Sequence, residues 1–228
     1  MKRRRRMLDG TVVMLNVPDA LTMPPPTAIG VLRLDGAEVE LTASDADGAA
    51  YFAEVTRTPL GAPTPMRNGR SLRTGPLGGD AALGLGFVLE VGSQRVFGSV
   101  PPAVSRTDLA RWLGRIQWKV VDSSVQADLT GVAEWVPERP QVLAQEVDLE
   151  GGGNYLLDVR RARGRRRERR AGSGGRARGG DLYRSAQDET RPHVILEADD
   201  FVAYGIPMPA TPIDDVVSSM LDVTTTTE

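Results

Sequence analysis

Between Ile29 and Thr42 the chain reads Ile-Gly-Val-Leu-Arg-Leu, Asp-Gly, Ala-Glu-Val-Glu-Leu-Thr. Apolar and polar residues alternate after the Asp35-Gly36 pair, with Val39 and Leu41 on one side. Alternation of period two puts every second side chain on the same face of an extended strand. Asp-Gly supplies two residues that accept positive φ, which a tight hairpin turn demands. The segment therefore predicts two antiparallel strands, and a sheet face that must be buried against something else.

Runs of the same length recur along the chain. Thr11–Val17 is one, ended by Pro18 and by Pro24–Pro26. Leu85–Val91 and Arg95–Val100 flank a Gly92-Ser93 turn. Trp118–Val121 precedes a run from Val125 to Val136, and Gln141–Glu150 and Tyr155–Arg160 flank Gly151–Asn154. Tyr51–Val55 reads as a further strand after a turn at Ser44–Gly48, and His193–Tyr204 as a single strand. Many short strands separated by Gly, Pro and Asp turns predict a mainly β fold, an antiparallel β-sandwich or barrel. Two short amphipathic helices are expected as well. Residues 105–117 carry Ser105 and Asp108 as a capping pair, with Leu109, Trp112, Leu113 and Ile116 as the apolar stripe. Residues 212–222 carry Thr211 as a cap, Pro212 in the first position, and a stripe of Ile213, Val216, Val217, Met220 and Leu221.

The stretch from Arg160 to Gly180 holds ten arginines and no aliphatic side chain larger than alanine. It has nothing to bury, so it is expected to be a disordered Arg/Gly-rich loop over residues 161–180, whose arginines stay solvated, meet nucleic acid or lie along the acidic segment Glu197–Glu228. The expected organisation is a basic tail (1–7), a β-rich domain (8–160) with an exposed Pro/Gly loop at 58–80, that arginine loop, a return strand of the same domain (181–206), and a proline tether with a C-terminal helix (207–228). Charge is segregated along the same lines. Lys2 to Arg6 are all basic, whereas Glu197 to Glu228 contains acids and no base, and the whole chain carries a formal charge of −2.

The residues present argue against several function classes. The chain has no cysteine, so it has neither disulfides nor thiolate metal ligands. Basic MKRRRR is followed by Asp9, Gly10, Asn16 and Pro18, which interrupt the apolar run a signal peptide needs. No apolar run has the length of a membrane span. A cytoplasmic protein is the expectation, free or incorporated in a particle. There is no phosphate-binding Gly-Lys-Ser/Thr loop, and Gly84-Leu-Gly86 lacks the third glycine of a dinucleotide site. His193 beside Pro192 reads as a strand-end residue, and Lys119 as an outward strand residue. Asp199-Asp200 would point to opposite faces of a strand, and Asp214-Asp215 suits a first helical turn. No cofactor and no catalytic residue is expected.

Asp45, Asp47, Gly48 and Glu54 fall at positions three, five, six and twelve of a calcium-binding loop. Ala43 stands where the first carboxylate should be, so a backbone turn is preferred, with Asp45, Asp47 and Glu54 kept as a calcium candidate. The stretch Gly36–Phe52, GAEVELTASDADGAAYF, resembles the strand–turn–strand signature of carboxypeptidase-regulatory-like domains. That resemblance implies a β-sandwich and no activity.

The expectation for function is a non-enzymatic interaction or assembly protein, for instance a subunit of a phage-tail-like particle. Its contacts would be the flexible loops and the helix face of Ile213, Val216, Val217, Met220 and Leu221, which either meets a protein partner or a second copy or docks on the chain's own domain. The alternative is a nucleic-acid-binding accessory. Its phosphate contacts would be Arg160, Arg161, Arg163, Arg165, Arg166, Arg167, Arg169, Arg170, Arg176 and Arg178. No aromatic residue is interleaved with those arginines; Tyr155 and Tyr183 only flank them.

Overall fold

A computed structural model of the chain describes residues 1–66, 69–162, 174–185 and 191–227. It is mainly β, with 49% of residues in strands and 17% in helices. The first strands are β1 (Lys2–Arg6), β2 (Val12–Asn16), β3 (Ala20–Thr22), β4 (Thr27–Leu34) and β5 (Ala37–Ser44). Helix α1 (Ala46–Val55) follows, then β6 (Thr64–Pro65), β7 (Ser71–Pro76), β8 (Leu85–Val91) and β9 (Gln94–Val100). Helix α2 (Arg106–Arg115) leads to β10 (Gln117–Val121), β11 (Ser124–Asp128), β12 (Glu134–Trp135), β13 (Val142–Leu149) and β14 (Asn154–Arg161). The remainder is β15 (Gly174–Ala177), β16 (Gly180–Arg184), β17 (Val194–Glu197), β18 (Phe201–Pro207), α3 (Ile213–Asp222) and β19 (Thr224–Thr227). The sheets are antiparallel and sandwich-like, and no barrel closes among the described residues.

The chain forms two compact units. One comprises Arg6–Gly10 and Thr27–Gln141, the other Met1–Arg5, Thr11–Pro26 and Val142–Glu228. In the unit built on Thr27–Gln141, the sheet runs β4-β5-β9-β8-β7-β6, with β12 alongside β4. The predicted β4–β5 hairpin is present, and Asp35 (φ 47°) and Gly36 (φ 85°) both take the left-handed conformation of its turn. The row Leu32–Val39 and the row Gly30–Leu41–Gly98–Phe87 share one face, where the hairpin of β10 and β11 packs against β5, β8 and β9. Asp122 and Ser123 turn that hairpin, both at positive φ. Helix α2 forms as the stripe predicts. Ser105 caps it, Leu109, Trp112 and Leu113 are buried, and the Trp112 indole donates to Asp35 Oδ2 at 2.7 Å. On the sheet's other face, α1 covers Val88 and Phe97 with Ala49 and Phe52.

Helix α1 replaces the strand expected at Tyr51–Val55, and so departs from the carboxypeptidase-like pattern after Ser44. Ala-Asp-Gly-Ala-Ala supplies little strand preference, and Asp45 Oδ1 accepts the Gly48 amide at 2.9 Å, which nucleates a helix instead. The 58–80 loop is also more structured than its composition suggests. It contains β6 and β7, and Thr58, Leu72 and Thr74 are buried. Glycine permits this: a Cβ on Gly75 would lie 2.4 Å from the Pro59 carbonyl oxygen.

The second unit is built on the sheet β15-β16-β17-β18-β14-β13, with β3 beside β13, and on a smaller sheet β1-β2-β19. Residues 193–204 form two strands instead of one. The Ala198 amide bonds the Phe201 carbonyl at 2.8 Å, so Asp199-Asp200 makes a turn. Gly174–Ala177, inside the expected arginine loop, is a strand that pairs as a hairpin with Gly180–Arg184 of the return segment. The expected basic tail is a strand. Lys2, Arg3 and Arg4 are exposed, but Arg5 is buried, with Nε on Gln145 Oε1 (2.9 Å) and Nη2 on the Met23 and Pro24 carbonyls (3.0 and 3.1 Å).

Helix α3 closes one face of this sheet. Val216 and Met220 are fully buried, and both meet the backbone at Gly205, where a Cβ would come within 2.8 Å of Val216 Cγ1. A polar peg fixes the contact: Ser219 Oγ bonds Asp19 Oδ1 at 2.9 Å and the buried Tyr155 hydroxyl at 3.1 Å. Thr211 does not cap the helix; its hydroxyl accepts the Asn154 amide at 3.0 Å, and Pro212 holds the cap position without a side-chain bond. A helix docked this way belongs to the core. Met220→Ala is expected to cost about 2–4 kcal/mol in chemical denaturation; a loss near zero would mean that α3 is an appendage.

Candidate functional site

The C-terminal helix face expected to capture a partner is spent on the chain itself. Val216 and Met220 are inaccessible, Ile213 and Val217 are half-buried, and Leu221 alone of the five is substantially exposed, at 42%. This corrects the sequence reading, and the reason is the missing side chain at Gly205, which lets the helix settle on β18.

The calcium candidates are held apart. Asp45 is committed to capping α1, Asp47 lies in the first turn, and Glu54 lies in the last. Among the described residues no group of three or more His, Asp or Glu side chains is placed to hold a metal ion. A cleft of about 350 Å³ in the Thr27–Gln141 unit is lined by Asp9, Asp128, Thr130, Glu134 and Trp135, among others. Its acids are engaged: Glu134 pairs with Arg33 at 3.2 Å, and Asp128 accepts the Thr130 amide and hydroxyl. Those Thr130 hydrogen bonds, which favour the ionised form, hold the Asp128 carboxyl below its ordinary value.

The arginines divide by position. Arg163, Arg165, Arg166, Arg167, Arg169 and Arg170 lie outside the described residues. Arg160 and Arg161 end β14, Arg176 sits in β15 with its side chain 93% exposed, and Arg178 lies exposed in the β15–β16 turn. Arg160 has the most developed surroundings. Its guanidinium takes both Asp158 oxygens, Nε on Oδ1 at 2.9 Å and Nη2 on Oδ2 at 2.7 Å. Its Cζ stands 5.0 Å from the centroid of the Tyr204 ring. The Asp158 hydrogen bonds, aided by the carboxylate charge, raise the Arg160 pKa above its ordinary value.

Strand register explains how these groups meet. Tyr183 lies opposite Ile195, Ile195 opposite Tyr204, and Tyr204 opposite Asp158, a row across β16, β17, β18 and β14. This row is on the face away from α3, because Gly205, the next residue, is the one α3 covers. His193 immediately precedes β17, and its ring lies 6.0 Å from that of Tyr204. Tyr204 is therefore flanked by Arg160 and His193. The sequence hid this neighbourhood, since Tyr204 is more than forty positions from Arg160; reading Asp199-Asp200 as a turn would have revealed the pairing. Tyr155, which flanks the arginines in sequence, points the other way. Burial pushes its phenol pKa well above the ordinary value.

A different feature was missed on α1. Ala49 and Phe52 face the sheet, yet Tyr51 and Val55 are 68% and 61% exposed, four positions apart on the opposite side. No helix among the described residues is long and apolar enough to cross a membrane. No protein-family model matches the chain, and no curated protein or solved structure matches it either.

Asp45→Ala is expected to lower stability by about 1 kcal/mol through loss of the α1 cap. The loss should be the same in denaturant melts run with calcium and with chelator; a calcium-dependent difference would restore the metal reading.

Proposed function

We propose that this chain is a non-enzymatic interaction protein that serves as a structural subunit of a larger assembly. A phage-tail-like particle is the architectural analogy, and the cytoplasm the compartment in which it would assemble. The single observation that carries the reading is the two-sided character of α1. A surface helix normally turns its polar side to water. Here Tyr51 and Val55 form an exposed apolar pair one helical turn apart, on a helix already anchored through its other side. Tyrosine in such a place offers contact area at low entropic cost, and aromatic residues are enriched at protein contacts.

The chemistry of the described polar side chains is compatible with a structural role. Arg5, Gln145, Ser219 and Tyr155 satisfy one another or the backbone inside the core. The wild-type chain is expected to associate with rising concentration in sedimentation velocity; substituting both α1 residues (Y51S/V55S) should abolish that association and leave the thermal unfolding transition in place. A wild-type chain that stays monomeric at its highest soluble concentration, or a double variant that assembles as well as the wild type, would sink the proposal.

A further inference from the structure

We infer that the outward face of the β16-β17-β18-β14 sheet is a binding site for single-stranded nucleic acid. Its stacking surfaces are Tyr204, His193 and Tyr183, and its phosphate contacts are Arg176 and Arg178. Binding of single strands without sequence preference needs two things together, aromatic faces that bases can stack on and cations placed along the backbone path. The arginines are legible in the sequence, whereas the rings come to them only through strand pairing.

Three features support the assignment. Tyr183, Tyr204 and His193 are all half-buried, so each ring is supported from below and presents part of its surface to solvent. Tyr183 and Tyr204 occupy the same cross-strand row two strands apart, which separates them by roughly 10 Å. That separation lets each ring hold its own base. The cations lie beside this row: Arg176 is opposite Asp181, two residues along β16 from Tyr183 on the same face, and Arg178 is exposed in the adjoining turn. Guanidinium groups already stack here, as Arg160 does on Tyr204, and a base can take that place or extend the stack.

Acids share the face and oppose an anionic ligand. Asp158 is neutralised by Arg160, and Asp181 lies 3.9 Å from Arg176; Glu197, Glu146 and Asp148 share the face, and Asp199 lies beside Arg176 and Arg178. Their presence makes stacking, more than bulk charge, the discriminating contribution. An acidic protein segment would meet the same carboxylates without gaining from the rings, so nucleic acid is the occupant the surface favours.

The site is independent of the α1 contact, and the test separates the two. Fluorescein-labelled oligouridylate and oligothymidylate, titrated with the full chain and followed by anisotropy, should bind at low salt and weaken with the shallow slope of about two phosphate contacts as salt rises. Comparing the two oligomers distinguishes RNA from DNA. Tyr204→Ala should weaken binding by roughly five- to a hundredfold, Tyr204→Phe should bind like the wild type, and the α1 variant Y51S/V55S should bind unchanged. Tyr183→Ala gives the second reading should Tyr204→Ala fail to fold, as judged by its melting transition. The inference is overturned by no binding at low salt, by unchanged affinity in folded Tyr204→Ala and Tyr183→Ala, or by equally tight binding of a polyglutamate peptide.

Discussion

Strand β14 carries the second unit. It pairs with β13 on one side and β18 on the other over nearly its whole length, so its backbone groups are satisfied within the sheet. Its side chains then sort strictly by parity. Tyr155, Leu157 and Val159 go to the face that α3 closes, and Asp158 and Arg160 go to the face that remains partly in water. A slip of one residue would drive Arg160 into the core and Leu157 out of it, which fixes the register. The α3 docking and the Arg160–Tyr204 stack follow from that one pairing.

Polar chemistry is used inside this unit as fastening. Arg5 loses water on burial, and desolvation lowers its pKa, yet the guanidinium is held by three acceptors. Gln145 completes the arrangement by donating to the Pro24 and Glu146 carbonyls. Such a network ties β1 to β13 and to the 23–24 backbone at once, and deleting one member strands the others without water. The Asp19–Ser219–Tyr155 chain does the same for α3. These side chains resemble catalytic types in composition, but their burial commits them to structure.

What could be read in advance follows a physical rule. Hairpins whose turns carry Asp-Gly, Gly-Ser or Gly-rich signals were legible because turn chemistry is local, and so was α2, whose cap and stripe lie within a dozen residues. The errors arose where local signals were balanced. Ala46–Val55 has neither strong alternation nor a wide apolar stripe, and the Asp45 cap tipped it to helix. The run from His193 to Tyr204 looked continuous because its turn is made by two aspartates without glycine. Residues 58–80 have the composition of a loop, since Pro and Gly commonly break strands; at Gly75 the absent side chain is what lets the backbone approach.

The sequence by itself determined the fold class, the segregation of charge and the existence of α2 and α3, since these depend on short-range periodicity and composition. Tertiary structure alone decided that α3 is core, that Arg5 is buried, and that Tyr204 stands between Arg160 and His193. Each of those depends on which strands are neighbours. Pairing between residues far apart in the chain is set by the summed burial of whole faces, a quantity that no short window of sequence contains.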